Sequence, residues 1–83
     1  MHKIVFTKTA RKKLDKLPSR EQHRIADKID ELANDPRPPG CKKLTNRGQY
    51  RIRIGDYRVI YDIEDKMLVV LVIDVDHRKQ VYE

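Results

Sequence analysis

The residues of this chain whose type and spacing suit chemistry on an anion are three arginines, Arg51, Arg53 and Arg58. They lie in two runs, Tyr50-Arg-Ile-Arg-Ile and Tyr57-Arg-Val-Ile-Tyr-Asp-Ile, in which apolar residues recur at every second position. This alternation is typical of half-buried strands. Gly55 and Asp56 stand between the runs and form a turn signal of two residues. The two runs are therefore predicted to form a β-hairpin.

The register of this hairpin is predicted to put like charges together. If Gly55-Asp56 is the whole loop, Arg53 pairs with Arg58, and Arg51 shares their face. Two arginines directly opposite each other repel by a few tenths of a kcal/mol up to about 1 kcal/mol. An anion bound between them would explain their placement, and a solvated face on which the two side chains bend apart is the alternative. A change of one residue in the loop would exchange the two faces.

Composition indicates one basic domain covering residues 1–83. Charged residues make up 39% of the chain and hydrophobic residues 39%, with a formal net charge of +6 and a pI of about 9.6. A basic small domain favours a polyanionic partner, with nucleic acid first and an acidic protein second. The lone Cys41 excludes an internal disulfide framework and favours a reducing compartment, so a cytoplasmic location is expected. No apolar run approaches the roughly 20 residues that span a bilayer, so no membrane association is expected.

The remaining elements supply a scaffold for the hairpin. Lys3–Phe6 is predicted to be a strand, followed by a helix capped by Thr7 or Thr9. A second helix is predicted to start with a capping box formed by Ser19 and Gln22. The apolar stripes of the two helices comprise Ala10, Leu14 and Leu17 in the first, and Ile25, Ala26, Ile29, Leu32 and Ala33 in the second.

The predicted fold is α+β. An N-terminal strand and an αα-hairpin precede an antiparallel β-meander, in the order β-α-α-β-β-β, and both helices pack on one face of a twisted antiparallel sheet. The apolar run Met67–Ile73 is predicted to be a central strand covered on both faces.

No metal site or cofactor is predicted. His2, His23 and His77 have no metal-ligand spacing with Cys41, and Asp74 and Asp76 are expected on opposite faces of a strand. The chain has neither a glycine-rich phosphate loop nor a nucleophile elbow. Basic residues are predicted to contact RNA phosphates, with a solvated face as the alternative. They are Lys8, Arg11, Lys12, Lys13, Lys42, Lys43 and Arg47.

Several of these patterns together resemble the RelE/ParE toxin superfamily, in its RelE branch. They are the element order, a Lys-x-Leu before Gly-x-Tyr-Arg-Ile-Arg, the strand Asp56-Tyr-Arg-Val-Ile-Tyr, and the ending His77-Arg-Lys-Gln-Val-Tyr. The resemblance covers essentially the whole chain. It implies the toxin of a type II toxin–antitoxin system: a metal-independent endoribonuclease without a cofactor. Such toxins cut mRNA in the A site of the 30S ribosomal subunit, inhibit translation and are blocked by a RelB-like antitoxin.

The resemblance also implies the site residues. The catalytic positions of the family fall on Arg51, Arg53, Arg58, Arg78 and Tyr82, and His77 stands where some relatives have a catalytic histidine. The arginines are expected to converge on one concave patch with His77 and Tyr82 at its rim. Well-studied members carry lysines where this chain has Arg51 and Arg53, and an arginine does not readily act as a general base. A ParE-like inhibitor of DNA gyrase and an inactive antitoxin-binding relative are the alternative functions.

Overall fold

The computed structural model describes residues 1–44 and 48–77. Within them, the elements are β1 (Lys3–Phe6), α1 (Lys8–Asp15), α2 (Ser19–Glu31), β2 (Lys42–Lys43), β3 (Gln49–Ile54), β4 (Tyr57–Glu64) and β5 (Val69–His77). The two helices pack on one face of a five-stranded sheet with the strand order β1-β5-β4-β3-β2. The predicted α+β fold with its antiparallel meander of β3, β4 and β5 is confirmed. No helix within the described ranges is both long enough and apolar enough to cross a membrane.

One hydrophobic core lies between the helices and the sheet. The stripes predicted from the sequence supply its helical side, with Ala10, Leu14, Ile25, Ile29 and Leu32 at most 2% exposed. The largest fully buried side chain on its sheet side is that of Tyr61, which is 0% exposed. The Tyr61 hydroxyl donates a 2.8 Å hydrogen bond to the Pro36 carbonyl oxygen, so the proline-rich loop closes over this end of the core. Burial raises the pKa of the Tyr61 phenol.

The two helices start in different ways. The Thr7 hydroxyl caps α1 by accepting a hydrogen bond from the Ala10 amide at 3.1 Å, as one of the two predicted alternatives requires. The capping box predicted for Ser19 and Gln22 is wrong, because Pro18 occupies the cap position and no side chain caps α2. The Gln22 side chain instead donates to Asp15 Oδ1 at 3.4 Å and links the ends of the two helices.

The sheet is mixed, whereas the sequence predicted an antiparallel one. β1 lies parallel to β5, with Lys3 opposite Val69 and Phe6 opposite Val72. The antiparallel prediction fails for β1 because this strand pairs with β5, which lies at the other end of the chain, and local sequence patterns do not determine the direction of so distant a pairing. The short strand β2, which was not predicted, pairs with β3 at the other edge of the sheet.

The β3–β4 hairpin has the predicted register. Arg53 lies opposite Arg58 and Ile54 opposite Tyr57, so Gly55-Asp56 is the whole loop. Gly55 has a φ of +61° and Asp56 does not have a positive φ. This is the pattern of a type II′ turn, whose twist matches that of the flanking strands.

We expect Gly55→Ala to lower the free energy of unfolding by about 1–2 kcal/mol, because left-handed backbone is unfavourable for a residue with a Cβ. An added Cβ would also lie 2.6 Å from Arg24 Nη1, so the Arg24 side chain must move. Chemical denaturation of Gly55→Ala, with and without Arg24→Ala, separates the two causes. If Gly55→Ala is as stable as the unmodified chain in both backgrounds, the turn assignment is wrong.

Strand β5 differs most from its prediction. It runs from Val69 to His77, whereas Met67–Ile73 was expected, because Leu68 has a φ of +54° and belongs to the exposed turn. Burial on β5 also alternates, so the prediction of a strand covered on both faces is wrong. The helices cover only one face of the sheet, and the other face carries the polar side chains described below.

A β-bulge in β5 changes which residues face the core. Ile60 of β4 lies opposite Asp74, but the next residue, Tyr61, lies opposite Val72, which leaves Ile73 as the extra residue. Val72 and Val75 therefore both face the core although three positions separate them. The residues between and after them, Asp74 and Asp76, are turned to the face away from the helices.

Candidate functional site

The face of the sheet away from the helices carries the three predicted arginines, and we call it the arginine face. Arg53 and Arg58 lie directly opposite each other, and Arg51 lies opposite Ile60 two positions along. Their exposure differs: Arg51 is only 5% exposed, Arg58 is half-buried and Arg53 is exposed. Lys42 of β2 lies opposite Arg51, so a fourth cation shares this face.

This geometry suits the binding of a phosphate or of another compact anion. Two paired strands fix the backbone of all three arginines, so their positions do not have to be reorganised when a ligand binds. A guanidinium presents several N–H donors in a planar fork that matches the oxygens of a phosphate. Donors fixed in advance stabilise negative charge that develops in a transition state more effectively than water does.

His77 is not brought together with the arginines. It lies opposite Tyr57, and the two rings meet edge to face with centroids 4.9 Å apart. Tyr57 packs against the core, on the helix side of the sheet. The His77 ring therefore lies on the helix side of the sheet, and the arginines lie on the other side. The sequence had predicted His77 at the rim of the arginine patch. Arg47, Arg78 and Tyr82 lie outside the described residues.

A cluster of charges that the sequence analysis missed lies beside the arginines. The Lys13 Nζ atom of α1 lies 2.8 Å from Asp74 Oδ1 and 2.7 Å from Asp76 Oδ1. The prediction that the two aspartates point to opposite faces is wrong, because residues two apart on a strand share a face. That period-two rule was the signal in the sequence that could have identified the pair.

The contacts among Lys13, Asp74 and Asp76 shift the pKa values of Lys13 and Asp74. The hydrogen bonds from Lys13 to Asp74 and Asp76 raise the pKa of the Lys13 ammonium, because they favour its charged form. Burial by itself would raise the pKa of the Asp74 carboxyl. The interaction with Asp76 and the hydrogen bond from Lys13 outweigh burial, and the pKa of Asp74 is lowered.

In residues 1–44 and 48–77, no three His, Cys, Asp or Glu side chains are grouped so that they could hold a metal ion.

The other basic residues that were predicted to contact RNA lie on separate surfaces. Lys8, Arg11 and Lys12 border a groove of about 750 Å³ along β1, which forms the sheet edge far from the β3–β4 hairpin. The Arg11 guanidinium lies 4.6 Å from the centroid of the Phe6 ring in this groove. Lys13 is engaged with the two aspartates, and Lys43 lies opposite Tyr50, on the helix side of the sheet. Of these predicted residues, Lys42 lies on the arginine face.

Three comparisons with known proteins agree with one another. The model of the family described as ParE toxin of type II toxin-antitoxin system, parDE, matches residues 4–82. Toxin RelG of Mycobacterium tuberculosis (strain ATCC 25618 / H37Rv) is 35% identical over an aligned length of 82 residues, and the alignment covers 95% of this chain and 93% of RelG.

Two solved structures are similar over nearly their whole length. The archaeal RelE–RelB complex from Pyrococcus horikoshii OT3 contains a chain with a TM-score of 0.85 and 30% identity, over 96% of this chain and 98% of that one. The toxin-antitoxin complex RelBE2 of Mycobacterium tuberculosis contains a chain with a TM-score of 0.82 and 34% identity, over 93% of this chain and 98% of that one.

Proposed function

We propose that this chain, which belongs to the RelE/ParE family of type II toxin–antitoxin toxins, is an endoribonuclease that cuts mRNA on the ribosome. It would act in the cytoplasm, without a metal ion, and inhibit translation. The observation that carries this proposal is the pair Arg53 and Arg58, held opposite each other on a rigid hairpin beside Arg51. Two guanidinium groups on neighbouring strands can together present several N–H donors to the oxygens of one phosphate.

The reaction has three requirements, and the arginine face suits one of them. In this reaction the ribose 2′-hydroxyl attacks the adjacent phosphate and forms a phosphorane. The attack requires removal of the proton from the 2′-hydroxyl, stabilisation of the charge on the phosphorane, and protonation of the 5′-oxygen that leaves. Arg58, with Arg51 and Arg53, would stabilise the phosphorane. Because an arginine keeps its proton at any relevant pH, the proton transfers need other groups. Tyr82 and His77 are the proposed candidates, with Arg78 as a further contributor to phosphate binding.

The partners proposed for this toxin are mRNA in the A site of the 30S subunit and a RelB-like antitoxin. The arginine face, with Lys42, is proposed to contact the RNA. The groove along β1 is proposed to receive a partly acidic segment of the antitoxin, because Lys8, Arg11 and Lys12 border it. Opposite charges across such an interface accelerate association more than they increase affinity.

Association with the antitoxin is therefore expected to slow by about tenfold or more when ionic strength rises from about 0.1 M to about 1 M, which shortens the screening length from about 10 Å to about 3 Å. Stopped-flow mixing of the purified partners measures this rate. Lys12→Ala should weaken the salt dependence, and Lys66→Ala, which removes an exposed lysine of the β4–β5 turn, is the matched control. An association rate that does not change with salt would contradict an electrostatic role for the groove.

Inhibition of DNA gyrase is the second candidate function, and the match to the ParE family model favours it. Two assays with the purified protein discriminate the candidates. In the first, toeprinting of an mRNA during translation in a purified system should show new cuts at A-site codons. In the second, gyrase supercoiling should proceed normally. Supercoiling inhibited without any new toeprint would support the gyrase function instead, and an effect in neither assay would indicate an inactive relative.

A further inference from the structure

The bulge at Ile73 adds a carboxylate to a row of charges across the arginine face. Asp76 of β5 lies directly opposite Arg58 of β4, which in turn lies opposite Arg53 of β3. Residues directly opposite each other on one face of an antiparallel pair have Cβ atoms about 4.5–5.5 Å apart, so Asp76 is within reach of the Arg58 guanidinium. The second aspartate, Asp74, lies opposite Ile60, so it is a diagonal neighbour of Arg58 and starts from a position farther away.

Lys13 approaches Asp76 from the other side. Strand β1 pairs with β5 only as far as Val72, and beyond that point Lys13 of α1 contacts Asp74 and Asp76 of β5. From there Lys13 Nζ lies 2.7 Å from Asp76 Oδ1, with the Lys13 side chain 42% exposed and that of Asp76 24% exposed. Asp76 thus lies between a lysine on the outer side of β5 and an arginine on its inner side. Partial burial leaves these charges less screened than charges in open solvent.

Asp76 can compete with a substrate for Arg58. Its carboxylate offers a guanidinium two oxygen acceptors in the bidentate arrangement that a phosphate also offers. A carboxylate that pairs with Arg58 would lower the positive charge available to an RNA phosphate. The ammonium group of Lys13 neutralises Asp76 and attracts it toward α1, which reduces this competition.

We propose that Lys13 is a positioning residue, which holds the Asp76 carboxylate toward α1 so that Arg58 presents its guanidinium to an RNA phosphate. This inference rests on the phosphate-binding role proposed above for Arg58. It replaces the earlier expectation that Lys13 itself contacts RNA. It also gives a role to the two aspartates on an otherwise basic surface, because Asp74 provides a second anchor for the Lys13 ammonium.

The test is single-turnover cleavage of mRNA on programmed ribosomes, at a temperature at which circular dichroism shows every variant folded. Lys13→Met should cut about tenfold more slowly, the scale of one partly screened charge interaction. Lys13→Arg, which keeps the charge, should cut at close to the unmodified rate. Lys16→Met removes an exposed lysine from the C-cap of the same helix and is the control for net charge.

Rescue separates the positioning role from other roles. Adding Asp76→Asn to Lys13→Met should restore cleavage to within about twofold of the unmodified rate, because the competing charge is gone. Adding Asp74→Asn instead should restore little, although it removes the same charge from the same cluster, because Asp74 does not lie opposite Arg58. Equal rescue by both would indicate a general effect on stability, and rescue by neither would indicate that Lys13 contacts RNA directly. Either result would overturn the proposal.

Arg58→Ala in the same assay separates failure of the positioning role of Lys13 from failure of the phosphate-binding role of Arg58. If Arg58→Ala is slow and Lys13→Met is as fast as the unmodified protein, the positioning role is wrong and the phosphate-binding role stands. If Arg58→Ala is as fast as the unmodified protein, the phosphate-binding role fails, and the positioning role fails with it.

Discussion

Arg58→Ala is expected to cut mRNA on a programmed ribosome about 100-fold more slowly than the unmodified protein. A loss of this size is typical when an enzyme loses one preorganised donor that stabilises charge in the transition state. Arg58 is half-buried near the start of β4, between Arg53 on one neighbouring strand and Asp76 on the other. Its backbone is paired on both sides, so the position from which its guanidinium reaches a phosphorane is set before the substrate binds. Single-turnover rates measure the effect on the chemical step directly.

The control for Arg58→Ala is Arg20→Ala, which removes the same charge from an exposed position on α2. Arg20→Ala should leave the cleavage rate unchanged within about twofold. Thermal melting should show that Arg58→Ala folds, because the change also removes the repulsion between Arg58 and Arg53. If Arg58→Ala is folded and cuts at the unmodified rate, the arginine face binds a partner or is simply solvated.

Ile29→Ala is expected to have the largest effect on stability, a loss of about 2–5 kcal/mol in the free energy of unfolding. Ile29 is 0% exposed on α2, in the core between the helices and the sheet. A domain of this size has a stability of about 4–12 kcal/mol, so the melting temperature should fall by roughly 10–25 °C. Differential scanning calorimetry measures both quantities.

Met67→Ala is the matched control for Ile29→Ala, because it removes a similar apolar volume from a turn residue that is 73% exposed. Its melting temperature should stay within about 2–4 °C of the unmodified value. An Ile29→Ala variant that melts like Met67→Ala would show that α2 does not pack on the sheet as described.

The sequence was sufficient for the hairpin and for the buried stripes of the helices because these signals are local. A two-residue loop fixes the pairing of Arg53 with Arg58, and strict alternation then determines the face of every residue in β3 and β4. The i, i+4 and i+7 spacing likewise identified Ala10 and Leu14 as core residues of α1. Each of these predictions needs only neighbours in the chain.

Apart from the capping box of α2, the predictions that failed concern β5, whose local sequence pattern determines neither its pairing nor its bulge. An unbroken apolar run does not show which of its residues face the core, so the extra residue at Ile73 cannot be predicted from it. The parallel pairing with β1 depends on contacts far away in the sequence. The place of His77 on the helix side of the sheet follows from that bulge. The cluster of Lys13 with Asp76 has the same origin, because 63 residues separate its two members in the chain.

In the proposed mechanism, a ribose 2′-oxygen of mRNA attacks the adjacent phosphate while the arginine face stabilises the phosphorane. The chemical ends that form when mRNA is cut on a programmed ribosome report on this mechanism. The 2′-oxygen bonds to phosphorus as the 5′-oxygen leaves with a proton. We therefore predict a 2′,3′-cyclic phosphate on the upstream fragment, a 5′-hydroxyl on the downstream fragment, and no cut at a codon with a 2′-deoxyribose at the scissile nucleotide. Fragments with a 3′-hydroxyl and a 5′-phosphate, or no ribosome-dependent cut at all, would contradict the account.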